Sequence, residues 1–245
     1  MTSTRSPRPS IPWRAYLLVV VLVGAPSVGQ AQPVAETVPF CEEPGRRQTF
    51  DTQGLGAFYC TSRAVATGPL RAAHATARPL FYGAVPAAWA GAVLRDEGYP
   101  AAYRLTLAQG ATYGLVLGLK HAVGRPRPYV RRALISRSSH YGPSQGEQYQ
   151  SFPSGHAALS AALATSWSLS HPEWYVVGAG AAWAVGVSLS RLYLGVHYPS
   201  DVLVGAAIGV GVAVLVHQVR GALTPARLRP DDPSGPAPLS VRIRF

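Results

Sequence analysis

Ser190-Arg191-Leu192-Tyr193-Leu194-Gly195-Val196-His197-Tyr198-Pro199-Ser200-Asp201 joins two long apolar stretches, and its reading decides the fold. Before it, residues 174–190 form an uncharged run of 17; after it, residues 202–219 run for 18, interrupted only by His217 and Gln218. Both runs are too long for strands and rich in Ala and Gly, so they read as helices. Pro199 suits the first turn of the second helix, where its missing N–H costs nothing. His197 and Asp201 stand four residues apart, the spacing at which side chains meet across a helical turn. Asp201 is the one acid between Glu173 and Asp231. An acid opening an apolar helix is costly without a partner. A His–Asp pair supplies one: the carboxylate accepts from one ring nitrogen and leaves the other free as nucleophile or base. The plain alternative is an acid that favours the helix dipole beside a surface histidine.

Working outward, residues 79–94, 105–119 and 157–170 form further uncharged runs of 16, 15 and 14. They also read as helices, which gives an all-α helical bundle. Small residues dominate these runs and suit close helix packing in a bilayer. A span needs about 20 residues with a lower limit near 17, and most of these runs sit at or below that limit. The expectation is five or six helices crossing the membrane, with a soluble helical bundle as the alternative. If the N-terminus starts inside, residues 120–156 and 191–201 fall outside. The arginine-bearing tail from 220 then lies inside, as basic residues prefer. The arginines at 125–137 go against that preference, which is understandable if they bind an anion.

Composition narrows the function classes. The chain of 245 residues is 48% hydrophobic and only 13% charged, which excludes disorder along its whole length. Two cysteines exclude a disulfide-dense scaffold. The net charge of +11 comes from arginine, with Lys120 as the single lysine. No helix-turn-helix, zinc-finger or RNP-type signature accompanies it, so no nucleic-acid partner is expected. Arg5, Arg8 and Arg14 precede a short apolar run at 15–24, and Gly29 and Ala31 are placed as in a cleavage site. Residues 1–31 therefore read as a signal peptide, or as a first transmembrane helix if uncleaved. Export would permit a disulfide between Cys41 and Cys60, which enclose 18 residues; two unpaired thiols are the alternative. The expected organisation is an extracytoplasmic lead-in at 32–78, a catalytic bundle at 79–219 and a Pro/Arg-rich tail at 220–245. Oligomeric state is left open.

Two more segments concentrate reactive side chains. Lys120-His-Ala-Val-Gly-Arg-Pro-Arg127-Pro128 places two cations seven residues apart, able to converge on one anion. A compact ammonium and a guanidinium serve an anion differently, which is a hint in the lone Lys120. Pro153-Ser154-Gly155-His156 is a helix-capping step before an Ala-rich helix. N–H groups at such an end bind anions, and Gly155 lets a phosphate approach the backbone. His156 then falls beside any bound anion.

The three segments together resemble the type 2 phosphatidic acid phosphatase (PAP2) family, related to bacterial non-specific acid phosphatases and vanadium haloperoxidases. Each fixed position of that pattern is present: Lys120, Arg127 and Pro128; Pro153, Ser154, Gly155 and His156; Ser190, Arg191, His197 and Asp201. The resemblance covers about residues 80 to 219. It implies that His197 attacks phosphorus, that Asp201 holds its ring, and that His156 protonates the leaving oxygen. It implies that Lys120, Arg127 and Arg191 clamp the phosphate oxygens, with Ser154 and the Gly155 N–H adding hydrogen bonds. Three cations suit phosphoryl transfer, where catalysis is mostly positioning and charge stabilisation. No metal and no cofactor are implied. Vanadate is expected as an inhibitor, and as a cofactor only if the chain is a haloperoxidase. The substrate expected is a phosphorylated lipid or polyprenyl diphosphate, met at the cell membrane with the site on the periplasmic side. The alternatives are a soluble periplasmic acid phosphatase, a vanadium haloperoxidase, or an inactive membrane scaffold.

Overall fold

Small side chains set the packing of this bundle. In the computed structural model, residues 40–42, 49–60, 64–95, 98–132, 134, 137, 147–225 and 228 are described. The leader expected at 1–31 and the tail beyond residue 228 lie outside the described residues. The described elements are all helical: α1 (Phe50–Tyr59), α2 (Ala64–Arg95), α3 (Tyr99–Val123), α4 (Pro128–Arg131), α5 (Gly155–Ser170), α6 (Trp174–Tyr193), α7 (Pro199–Gln218) and α8 (Arg220–Leu223).

α5 is the central helix, packed against α7, α6 and α3. Ala157, Ala158, Ser160, Ala161, Ala162, Leu163 and Ala164 are all buried along it. Their small volumes let neighbouring backbones come close. α7 answers with glycines. A Cβ at Gly205 would lie 2.5 Å from the Ser154 carbonyl oxygen, and one at Gly209 would collide with that of Ala158. No side chain fits at either position, so α7 is seated directly on the α5 backbone.

The chain is already helical from Ala64, so the change of character read at residue 79 falls inside one helix. Pro69, Pro79 and Pro86 all lie within α2. A proline removes one ladder hydrogen bond, and all three stand on the exposed side of the helix. At the other junctions glycines in the left-handed region punctuate the chain: Gly98 (φ 82) precedes α3 and Gly124 (φ 57) ends it.

α6 and α7 are long and apolar enough to cross a bilayer by length and composition. Only 28% and 39% of their apolar windows are buried within the chain. Trp174, Tyr175, Val177 and Val185 of α6 and Leu203, Val204, Val210 and Leu215 of α7 stand exposed.

Candidate active site

Three helix ends meet at one end of the bundle. α3 closes on Gly124, whose N–H donates to the Lys120 carbonyl, and the chain leaves through Arg125 and Arg127 into α4. α5 opens on the Ser154 cap. α6 runs out at Tyr193, and a tight turn through Gly195 (φ 69) delivers His197 just ahead of α7. A Cβ at Gly195 would also come within 2.9 Å of the Tyr59 ring, so this turn excludes a side chain twice over.

A cavity of about 230 Å³ is lined by Lys120, Arg127, Gly155, His156 and His197. Arg78, Phe81 and Tyr82 of α2 form one wall, and Tyr113 and Leu117 of α3 another. Inside it, the Arg127 NH1 group donates to His197 Nε2 at 3.3 Å and to the Val196 carbonyl at 3.2 Å. A guanidinium only donates, so Nε2 is the acceptor and the ring proton sits on Nδ1. That proton faces Asp201, with Nδ1 3.6 Å from Oδ2. The ring's lone pair is therefore on Nε2, beside Arg127, which lines the cavity with His197. Burial first, and the Arg127 guanidinium next, push His197 down to about 3, so the ring is neutral at ordinary pH.

The expected direct hold of Asp201 on the ring is looser than a hydrogen bond, because other donors occupy the carboxylate. Oδ2 accepts from the Ser151 hydroxyl and, at 2.8 Å, from the Tyr198 N–H; Oδ1 accepts from Arg125. The Tyr198 bond is the cap of α7 itself, with Asp201 in the third helical position. Asp201 is wholly buried, and three donors are what make a carboxylate tolerable there.

The other predicted residues divide. Lys120 lines the cavity and donates through Nζ to the Gln150 carbonyl. His156 lines it with its ring edge against Phe81 at 5.6 Å. Among the described residues His156 Nε2 is buried without a hydrogen-bond partner. Gly155 lies at the same wall; a Cβ there would be 3.8 Å from Lys120 Cε. Ser154 stands behind the cavity: its N–H donates to the Asp201 carbonyl at 2.9 Å, tying the α5 start to α7. Arg191 is fully buried, with NH2 donating to Ser190 Oγ at 2.8 Å and to His74 Nδ1 of α2. Cys41 and Cys60 are joined in a disulfide that brackets α1.

Several partners escaped the sequence reading. Arg125 lay in a position that the family pattern leaves blank, yet it bonds Asp201. Asp51 and Ser151 carried no periodic signal. Glu147 meets Arg127 through both its carbonyl (2.8 Å) and its carboxylate (3.3 Å). A buried arginine in a chain with few acids was the available hint that an acid must face it. Among the described residues no group of three or more His, Cys, Asp or Glu side chains is arranged to hold a metal ion.

Residues 101–225 match the family model described as PAP2 superfamily. The chain belongs to the PAP2 superfamily. The three segments read from its sequence all lie within that range, and they converge on the end just described. A relative named lipid A 1-phosphatase, from Rhizobium johnstonii, is 35% identical over 40% of this chain and 38% of its own length. A decaprenylphosphoryl-5-phosphoribose phosphatase of Mycobacterium tuberculosis is 35% identical over 48% of this chain and 60% of its own. The PAP2 chain thus spans less than two thirds of either relative. Its fold is similar to that of a transmembrane PAP2-type phosphatidylglycerolphosphate phosphatase from Bacillus subtilis. That match has a TM-score of 0.53 and 23% identity, over 74% of this chain and 89% of that one.

Proposed function

We propose that this chain is a membrane-embedded phosphatase that hydrolyses lipid phosphates or polyprenyl diphosphates through a phosphohistidine. One observation carries the reading: His197 lines a cavity with Lys120, Arg127 and His156, its Nε2 beside Arg127 and its Nδ1 facing Asp201. In the first half-reaction the Nε2 lone pair attacks phosphorus, a P–N bond forms and the P–O bond to the leaving group breaks. The leaving oxygen takes its proton from His156. Lys120 and Arg127 hold the charge that spreads over the phosphoryl oxygens, and Arg127 exchanges His197 for phosphate as it does so. The phosphorylated ring carries positive charge, which draws the Nδ1 proton toward Asp201. In the second half-reaction His156 takes a proton from water, the hydroxide attacks phosphorus and the P–N bond breaks.

The lipid class is supported by the names of the two relatives and by the outward apolar surface of α6 and α7. The extracytoplasmic orientation is supported by the disulfide. Such bonds persist in oxidising compartments, and this one brackets the helix whose Asp51 reaches the active-site end. The test is phosphate release in detergent from phosphatidic acid, an isoprenyl diphosphate and p-nitrophenyl phosphate, with His197→Ala alongside. The proposal expects turnover that favours a lipid and vanishes in the variant. Retained turnover in His197→Ala would sink the mechanism, and preference for the small ester would move the assignment to an exported acid phosphatase.

A further inference from the structure

We propose that Asp51, on α1, is a positioning residue for the His197–Asp201 pair and acts through Arg125. The proposal rests on His197 being the nucleophile. Asp51 lies outside the residues that match the PAP2 superfamily, and no motif position points to it.

The geometry is a chain of bonds ending at the catalytic pair. Asp51 Oδ1 accepts from the Ser200 N–H at 2.9 Å, and Oδ2 accepts from the Ser200 hydroxyl at 2.8 Å. Oδ2 also accepts from Arg125 NH2 at 2.7 Å. The other tine of that guanidinium, NH1, donates to Ser200 Oγ at 2.7 Å and to Asp201 Oδ1. The face of Arg125 lies 4.4 Å over the Tyr198 ring. A planar fork held at both tines and on one face has no rotational freedom left. The fork therefore holds Oδ1 of the Asp201 carboxylate, while Ser151 and the Tyr198 N–H hold Oδ2, 3.6 Å from His197 Nδ1.

Charge adds to position. Arg125 is shared between two carboxylates. With Asp51 present, only part of its charge acts on Asp201, which stays a good partner for the positive ring that forms on phosphorylation. Removing the Asp51 charge leaves Arg125 wholly on Asp201 and weakens that support. Asp51 does not line the cavity, so substrate binding is untouched. The loss belongs to turnover.

α1 is built to deliver this residue. Thr49 caps it in a reciprocal capping box with Thr52, a local stability element, while Asp51 in the first turn is held in place by its own bonds to Ser200 and Arg125. The Cys41–Cys60 disulfide brackets the same helix. A Cβ at Gly54 would lie 2.7 Å from Pro199 Cγ, so α1 sits directly on the first residue of α7.

The experiment compares wild type, Asp51→Asn, Arg125→Gln, the double variant and Thr49→Ala, with p-nitrophenyl phosphate as probe and His197→Ala as control. Melting curves normalise each rate to folded protein. The expected result for Asp51→Asn is a kcat lower by about tenfold with KM within about twofold, since small misplacements at a reacting centre act on the rate. The double variant should lose no more than Arg125→Gln alone, because the two residues act in one line. Thr49→Ala should lower the melting temperature and keep the wild-type kcat. The proposal is overturned by a wild-type kcat in Asp51→Asn, by losses that multiply in the double variant, or by an equal kcat loss in Thr49→Ala. An Asp51→Asn protein with no melting transition also overturns it, since Asp51 then serves the fold alone. An inactive wild type or an active His197→Ala would instead strike the nucleophile reading, so the two failures are distinguishable.

Discussion

Gly205→Ala adds one methyl where α7 rests on the start of α5. The new Cβ would stand 2.5 Å from the Ser154 carbonyl oxygen and 3.3 Å from both Ser154 N and C. All three are backbone atoms, so no side chain can swing aside. Ordinary contact begins near 3.4 Å, so α7 must retreat by several tenths of an ångström or more. The bond most exposed to that retreat is Ser154 N–H to the Asp201 carbonyl, now 2.9 Å. Overpacking of this kind costs about 1–3 kcal/mol, and the strained hydrogen bond adds roughly 1 kcal/mol. For a chain of this size that lowers the melting temperature by roughly 5–10 °C. The shift also moves Asp201 and His197 against His156, and a displacement approaching 1 Å can cost on the order of a hundredfold in rate. Gly211→Ala is the matched control on the same helix, since nothing lies within 4 Å of its Cβ. There, alanine should be neutral or stabilising by up to about 1 kcal/mol through helix propensity. Both variants would be followed by thermal melting in detergent and by p-nitrophenyl phosphate turnover. If Gly205→Ala melts and turns over like wild type, the close seating of α7 on α5 is wrong.

Glu147→Gln should tighten phosphate binding. The half-exposed carboxylate competes with substrate for Arg127 NH2 at 3.3 Å, in a pair worth about 0.2–1 kcal/mol, so KM and the vanadate inhibition constant should fall by up to about fivefold. A rise in either would refute this. Acid should destabilise the fold through His197. Between its ordinary value of 6.5 and about 3 the unfolded chain binds the proton that the folded chain refuses. Stability therefore drops as pH falls through that window, by at most about 1.4 kcal/mol per pH unit. Melting temperatures across pH should show a shallower slope in His197→Ala, and equal slopes would remove His197 from the account.

The helices were legible because long apolar runs admit few other structures. Residues 157–170 became α5 almost to the residue, since a cap signal at Ser154 opens it and Pro172 follows its end. The α2 boundary was not legible. Pro79 reads as a breaker in one dimension, yet α2 runs through it with the proline on its exposed side. In the site, Lys120, Arg127, His156 and His197 stood out because few other purposes explain such side chains at apolar helix ends. The i,i+4 spacing of His197 and Asp201 suggested contact across a helical turn. His197 instead lies ahead of α7, and Asp201 spends one oxygen on capping that helix. Asp51 was invisible because its partners are 149 and 74 residues away, and no local pattern encodes a pairing of that length.

The bond between Asp51 and Ser200 has a consequence in time. Asp51 is among the early residues to leave the ribosome, and Ser200 among the late ones. Closing a loop of that length is slow compared with forming any single helix. The full set of bonds around the carboxylate behind His197 is therefore complete only after the first described helix and the last long one have found each other. Until then a growing chain already carries Lys120 and Arg127, but Arg125 and Ser200 still lack their Asp51 partner. Completion of the site is in effect a checkpoint on the completed fold.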